Sequence, residues 1–132
     1  MQNTVKSPRK AANFLQWFDF RSADLGTFAF IMNRVAGIGL VVYLVLHLIV
    51  LSQLAQGAAV YNQFIALAHN PLFVFGEFLV VSAVLLHGLN GLRIALTSLG
   101  IAVPAQKGLF IGLMAVAVIG IIVFGIKMFG GA

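Results

Sequence analysis

The chain has 132 residues, of which 61% are hydrophobic and only 8% are charged, and it contains no cysteine. Soluble domains carry about 25% charged residues, so this composition predicts an integral membrane protein with room for three spans of about 20 residues each. It leaves no room for a separate soluble domain and excludes disulfides and iron–sulfur ligation by this chain. The net charge of +5 comes from basic residues that flank apolar segments, which indicates membrane topology and not nucleic-acid binding.

Residues 1–26 form the first region of the chain, and residues 27–132 form a transmembrane anchor. The first region combines basic residues with an aromatic cluster over residues 14–20 and lacks the pattern of a cleavable signal peptide. Aromatic side chains beside charges are typical of a segment at the lipid headgroups, and a contact with a peripheral partner is the alternative.

The first predicted span runs from about residue 27 to 52. Arg34 lies near its start, where the guanidinium can reach the membrane interface or line a polar cavity. His47 lies near its end, with Tyr43 one helical turn before it. These polar groups mark faces that we expect to meet other helices.

Residues 53–71 contain no Lys or Arg and are predicted to form a short turn and an interfacial helix that ends at Asn70-Pro71. His69 falls at this boundary and is interpreted as a solvated loop histidine. We therefore expect no chemistry in this connection.

The second and third spans are predicted over residues 72–96 and 108–129. His87 lies within the second span, and an ionisable residue there is by default a functional-site hypothesis. The alternative is a histidine that only hydrogen-bonds a neighbouring helix. Gly108 and Gly112 open the third span at a spacing that permits close helix packing, so this span is assigned to packing.

The basic residues predict the orientation of the chain, with a cytoplasmic N-terminus and an external C-terminus. If Arg34 and Arg93 mark similar depths, His87 lies nearer the cytoplasmic face and His47 nearer the outer face, about 10 Å apart. The two histidines should then not bind the same iron. Each would need a second axial ligand from another chain.

Several motifs together resemble the cytochrome b membrane-anchor subunits of succinate dehydrogenases. They are Asn33-Arg34-Val35-Ala36-Gly37, Leu46-His47-Leu48, Tyr61-Asn62, His69-Asn70-Pro71-Leu72, Gly76-Glu77 and His87-Gly88-Leu89-Asn90-Gly91-Leu92-Arg93. The resemblance covers about residues 28–96. It implies an all-α anchor in a prokaryotic cytoplasmic membrane that, with a second small membrane anchor, holds a flavoprotein subunit and an iron–sulfur subunit. Electrons from succinate would pass through the clusters to a membrane quinone.

The resemblance also implies roles for single residues. His87 matches the axial ligand of haem b, Arg34 matches an arginine beside the quinone site and the haem propionates, and Arg93 matches the signature's arginine, a plausible propionate partner. His47 fits either the ligand of a second, outer haem or a packing role, so the complex would hold one haem b, or two shared with the partner anchor.

The quinone site departs from the family pattern at two positions. Many relatives have His-Arg and an upstream serine, whereas Asn33 and Phe30 stand there in this chain. The hydroxyl contact to quinone is therefore absent or comes from elsewhere, with Thr27 and Asn33 as the candidates.

Two other functions compete with the haem-binding anchor. One is a haem-free structural anchor of a respiratory complex, whose histidines only hold helices together. The other is a small transporter in which Glu77 is the proton-coupled carboxylate, although three spans show no inverted repeat. The direction of catalysis and the identity of the quinone stay open.

Overall fold

The computed structural model describes residues 24–130, which form four α-helices. Helix α1 is Leu25–Ser52, α2 is Ala58–Ala68, α3 is Pro71–Ser98 and α4 is Gln106–Phe129, with single 3₁₀ turns at Gln53–Gln56 and Val103–Ala105. Helices α1, α3 and α4 are long and apolar enough to cross a membrane. The predicted all-α fold with three spans is confirmed over this range, and each predicted span boundary lies within two residues of the helix end. The predicted headgroup-level aromatics at 14–20 fall outside the described residues, and the predicted orientation stays a prediction.

Polar residues set the starts of the two helices that carry the candidate site. Asp24 Oδ1 accepts a hydrogen bond of 2.8 Å from the Thr27 N–H at the start of α1. Asn70 Oδ1 accepts one of 3.0 Å from the Leu72 N–H, and Pro71 occupies the first position of α3, where no amide hydrogen is needed. The predicted break at Asn70-Pro71 is therefore both the end of α2 and the beginning of α3.

Helix α3 lies between α1 and α4 and packs against both. Only Ala29, Phe110 and Ala117 form a buried apolar core in the described part of the chain, and Asn90 is the buried polar residue. Most other apolar side chains, including nearly all of those on the second half of α1, are exposed on the surface of the chain. Such a surface is suited to hydrocarbon or to other transmembrane helices and not to water.

Glycines do permit close packing of α4, but at other positions than the predicted pair. A Cβ on Gly120 would lie 3.2 Å from Leu85 Cδ1, and one on Gly125 would lie 3.1 Å from Phe78 Cε2. A Cβ on Gly108 or Gly112 would meet nothing within 4 Å. The assignment of α4 to packing holds with α3 as the neighbour, whereas Gly108 and Gly112 make no close contact among the described helices, so the packing predicted for them stays a prediction.

Candidate functional site

His87 lies where α3 meets α1, and its ring is fixed by the backbone of α1. Its Nδ1 is 3.0 Å from the main-chain oxygen of Asn33. A carbonyl oxygen can only accept, so this contact requires the hydrogen on Nδ1, and in the neutral ring Nε2 then carries the lone pair. A metal-binding histidine commonly has this arrangement, in which the second ring nitrogen donates to a carbonyl and thereby orients the ring.

Gly37 supplies the flat surface on which the imidazole rests. A Cβ at this position would lie 3.0 Å from Cε1 and 3.2 Å from Nδ1 of His87. Such distances are shorter than ordinary van der Waals contacts, so a side chain here would displace the ring. Because Gly37 has no side chain, the His87 ring on α3 can approach the backbone of α1.

Asn90 forms the second polar contact between these helices, one turn along α3 from His87. It is completely buried, and its Nδ2 lies 3.5 Å from the Ala29 oxygen. We call the line of contact made by Ala29, Asn33, Gly37, His87 and Asn90 the α1–α3 seam. The Oδ1 atoms of both asparagines are buried in it without a hydrogen-bond partner within the described chain.

The four residues expected at a quinone site lie on two adjacent faces of α1. Thr27, Phe30 and Arg34 are three and four residues apart, so they share one face, and all three are exposed. The Arg34 Cζ stands 4.3 Å from the centroid of the Phe30 ring. Asn33 belongs instead to the seam, where its oxygen receives the His87 bond. Arg34 follows Asn33 in sequence, so its backbone lies at the level of His87, while its guanidinium lies over Phe30 one turn toward the start of α1.

His47 has a different environment from His87. Its ring stacks on Tyr43 of the same helix at 5.3 Å between centroids, and its Nδ1 is 3.4 Å from the tyrosine hydroxyl. Both residues are exposed. Gly37, which contacts His87, precedes His47 by ten residues, about 15 Å along α1. The predicted separation in depth of the two histidines is confirmed.

The assumption behind the estimate of 10 Å is wrong, because Arg34 and Arg93 mark different depths. Arg34 lies at the level of His87, whereas Arg93 lines a cleft with Asp24 and Leu25 at the start of α1. The guanidinium of Arg93 faces α4, with its Cζ 5.2 Å from the centroid of the Phe110 ring. The separation of the histidines rises accordingly from about 10 to about 15 Å.

The remaining polar candidates stand apart from these groups. His69 follows the last residue of α2 and is exposed, as expected of a loop histidine, and Glu77 is exposed in the second turn of α3. At the edge of the described range, the hydrogen bond from the Thr27 amide holds the pKa of Asp24 below its usual value. Between residues 24 and 130, no three His, Asp or Glu side chains gather into a metal-binding group.

Comparison with known families bears directly on this arrangement. Residues 7–126 match the family described as the succinate dehydrogenase/fumarate reductase transmembrane subunit. The chain belongs to this family. The match covers α1, α3 and all but the last three residues of α4, so the chain is a multi-pass membrane subunit of the succinate dehydrogenase and fumarate reductase type.

Two relatives agree with the family. The chain is 33% identical over 110 residues to the succinate dehydrogenase hydrophobic membrane anchor subunit of Halobacterium salinarum, which covers 82% of each chain. It is 30% identical over 73 residues to the succinate dehydrogenase 2 membrane subunit SdhC of Mycobacterium tuberculosis, covering 55% of this chain and 54% of that relative.

Proposed function

We propose that this chain is the haem b-binding anchor of a succinate:quinone oxidoreductase and that the first half of α1 forms part of its quinone site. The observation that carries the proposal is the bond from His87 Nδ1 to the Asn33 oxygen, made over Gly37. It leaves Nε2 as the nitrogen that can bind the haem iron, on a ring that cannot rotate without losing the bond to Asn33. A haem b held by His87 supplies a one-electron redox centre.

The remaining chemistry is assigned to the exposed face of α1. Arg34 lies one turn from Phe30, and the guanidinium can donate hydrogen bonds to a quinone oxygen on which negative charge develops. Thr27 is the better candidate for a hydroxyl contact, since it shares this face, whereas Asn33 Oδ1 is buried. Phe30 can pack against the quinone ring.

The partners of the proposed complex follow from what this chain lacks. It has no cysteine for iron–sulfur clusters, so an iron–sulfur subunit and a flavoprotein subunit would supply the electrons. A second small membrane anchor would supply the other protein ligand that the haem iron needs in addition to His87. The complex would lie in a prokaryotic cytoplasmic membrane, with lipid covering the exposed apolar surface.

A reduced-minus-oxidised optical spectrum of the purified complex tests the haem assignment. We expect a b-type band in the wild type and its loss in the His87→Ala variant, while His69→Ala, a histidine exposed at the end of α2, keeps it. A haem-to-flavin ratio near two that falls by half in His47→Ala would identify His47 as a second ligand, and an unchanged ratio would give it a packing role.

The same spectrum distinguishes the haem-binding anchor from the haem-free structural anchor. The His87–Asn33 bond also joins two helices, so it could exist for packing alone. A wild-type complex with flavin but no haem band would favour the structural anchor and end both histidine assignments. Arg34 at a quinone site would then be the only chemical proposal left.

A further inference from the structure

A cleft of about 250 Å³ opens where the start of α1, the end of α3 and the start of α4 come together. Its polar lining consists of Arg93, Lys107, Gln106 and Asp24, and Leu25 and Phe110 are among its apolar walls. It lies at the opposite end of α1 from His47 and one helical turn beyond Asn90 of the seam. The quinone assignment does not account for it, and the haem assignment reaches it only through Arg93, the expected propionate partner.

Arg93 is directed into this cleft and away from the seam. The face of the almost fully buried Phe110 supports its guanidinium, and its Nε is buried without a hydrogen-bond partner among the described residues. His87 precedes it by six residues, which places the two side chains about 9 Å apart along α3 and about 120° apart around it. The imidazole turns toward α1, whereas the arginine turns toward α4.

The charges of the cleft favour an anion. Arg93 and Lys107 bring two positive charges, against one carboxylate from Asp24. One oxygen of that carboxylate is already occupied by the Thr27 amide. Helix α4 begins beside the cleft at Gln106, whose amide donates to the Val103 oxygen of the preceding turn, and the N-terminal end of the helix dipole adds partial positive charge there. Among the described residues, the charges at the cleft therefore sum to a positive value.

The depth of the cleft matches the lipid headgroups. Helix α3 has 28 residues and is therefore about 42 Å long, whereas the hydrocarbon core of a bilayer is about 30 Å thick. Its ends consequently reach the headgroup layer, and Arg93 is five residues from the end at Ser98. Leu25 and Phe110 give the cleft apolar walls beside its charged groups, and such walls suit the glycerol and upper acyl carbons of a lipid.

We propose that this cleft binds the phosphate group of an anionic phospholipid, with Arg93 and Lys107 as the ligands. The phosphate would receive hydrogen bonds from the guanidinium and the ammonium group at once, and would bridge α3 to α4 beside the start of α1. The lipid would thus hold together three helix ends that share few buried side chains. This proposal does not require the haem or quinone assignment to be correct.

The test uses the complex purified through this chain and placed in nanodiscs of phosphatidylcholine, with or without phosphatidylglycerol. Native mass spectrometry counts the phosphatidylglycerol molecules that stay bound. We expect affinity to fall about fivefold for each of Arg93→Gln and Lys107→Gln, since a basic residue near a membrane surface contributes about 1 kcal/mol to binding anionic lipid. Lys127→Gln, which removes a lysine from the other end of α4, should leave it unchanged.

Four outcomes would overturn the proposal. Equal retention by the wild type and the Arg93→Gln/Lys107→Gln double variant shows that the lipid binds elsewhere. Displacement of phosphatidylglycerol by inorganic phosphate alone identifies the ligand as a soluble anion. A lower haem content with unchanged lipid binding in Arg93→Gln shows that Arg93 binds the haem propionates and not the lipid. An equal loss in Lys127→Gln shows that total charge, and not this cleft, retains the lipid.

Discussion

Each half of helix α1 contacts or contains one histidine, and the environments of these two histidines differ. In the first half, Asn33 and Gly37 contact α3, and His87 is bonded to the backbone of a different helix. In the second half, the residues from Val41 to Ile49 are exposed, and His47 contacts Tyr43 of its own helix. An identical side chain in a similar apolar sequence is therefore fixed at one depth and free on the surface of the chain at the other.

This difference indicates that the tertiary contact, and not the histidine itself, fixes the ring in an orientation that a metal ligand would need. A backbone carbonyl one helix away sets both the tautomer and the direction of the His87 ring. The Tyr43 hydroxyl is 3.4 Å from His47, a long hydrogen bond, and its position moves with a flexible side chain. Beside the first half of α1 this chain orients the histidine through a second helix, whereas His47 in the second half is held only by its own helix among the described residues.

The largest expected effect concerns Arg34, the residue in the first half of α1 to which we assign quinone chemistry. We expect Arg34→Gln to lower the rate of quinone reduction about 10²-fold, because loss of one group that stabilises developing negative charge typically has this cost. Succinate-dependent reduction of a water-soluble dye by the same complex should stay unchanged. The matched variant in the second half is Tyr43→Phe, which should keep the quinone rate.

A quinone rate within about twofold of the wild type in Arg34→Gln would remove Arg34 from the site. An equal loss of the dye reaction would mean that the variant disturbs assembly. Arg34→Lys separates charge from geometry, since it keeps the charge but not the planar pair of donors.

The second effect concerns the contact between His87 and Gly37. We expect Gly37→Leu to lower haem affinity at least about tenfold, because the new side chain must push the imidazole off α1 and break its bond to Asn33. Gly39→Leu is the matched control, since a Cβ at Gly39 would meet nothing within 4 Å. The ratio of haem to flavin, measured on both purified complexes, tests this expectation. Full haem content in Gly37→Leu would show that the ring does not depend on α1.

Much of the fold is predictable from the sequence, because the length of an apolar run and the pair Asn70-Pro71 act locally. His87 is predictable as the first candidate for the site as well, since an ionisable residue is costly in a bilayer. The rotation of each helix is not predictable, because helices that are apolar on every side have no polar face to orient them. Gly108 and Gly112 have the same chemistry as Gly120 and Gly125, and only the path of α4 across α3 selects the second pair.

The relative depth of residues on different helices is similarly beyond local reasoning. Arg34 and Arg93 both appear near the ends of apolar runs, yet one lies at the level of His87 and the other at the end of α3. Only the pairing of Asn33 with His87 and of Ala29 with Asn90 fixes the register of the two helices. The sequence places Asn90 on the same face as His87, which was the available signal, but not in contact with Ala29.

The smallest effect concerns that second pairing and tests whether the seam stabilises the first half. We expect Asn90→Ala to lower the free energy of unfolding by about 1 kcal/mol, since hydrogen bonds between membrane helices contribute about this much and the Asn90–Ala29 bond is long. Ser82→Ala is the control within the same helix, because its hydroxyl bonds to the Phe78 oxygen of α3 itself. That variant should change stability by less than about 0.5 kcal/mol.

Unfolding in a detergent titration, followed by circular dichroism, measures the stability of both variants. Equal costs in the two variants would mean that Asn90 does not join the helices, and the rigidity of the first half would then depend on the His87–Asn33 bond alone.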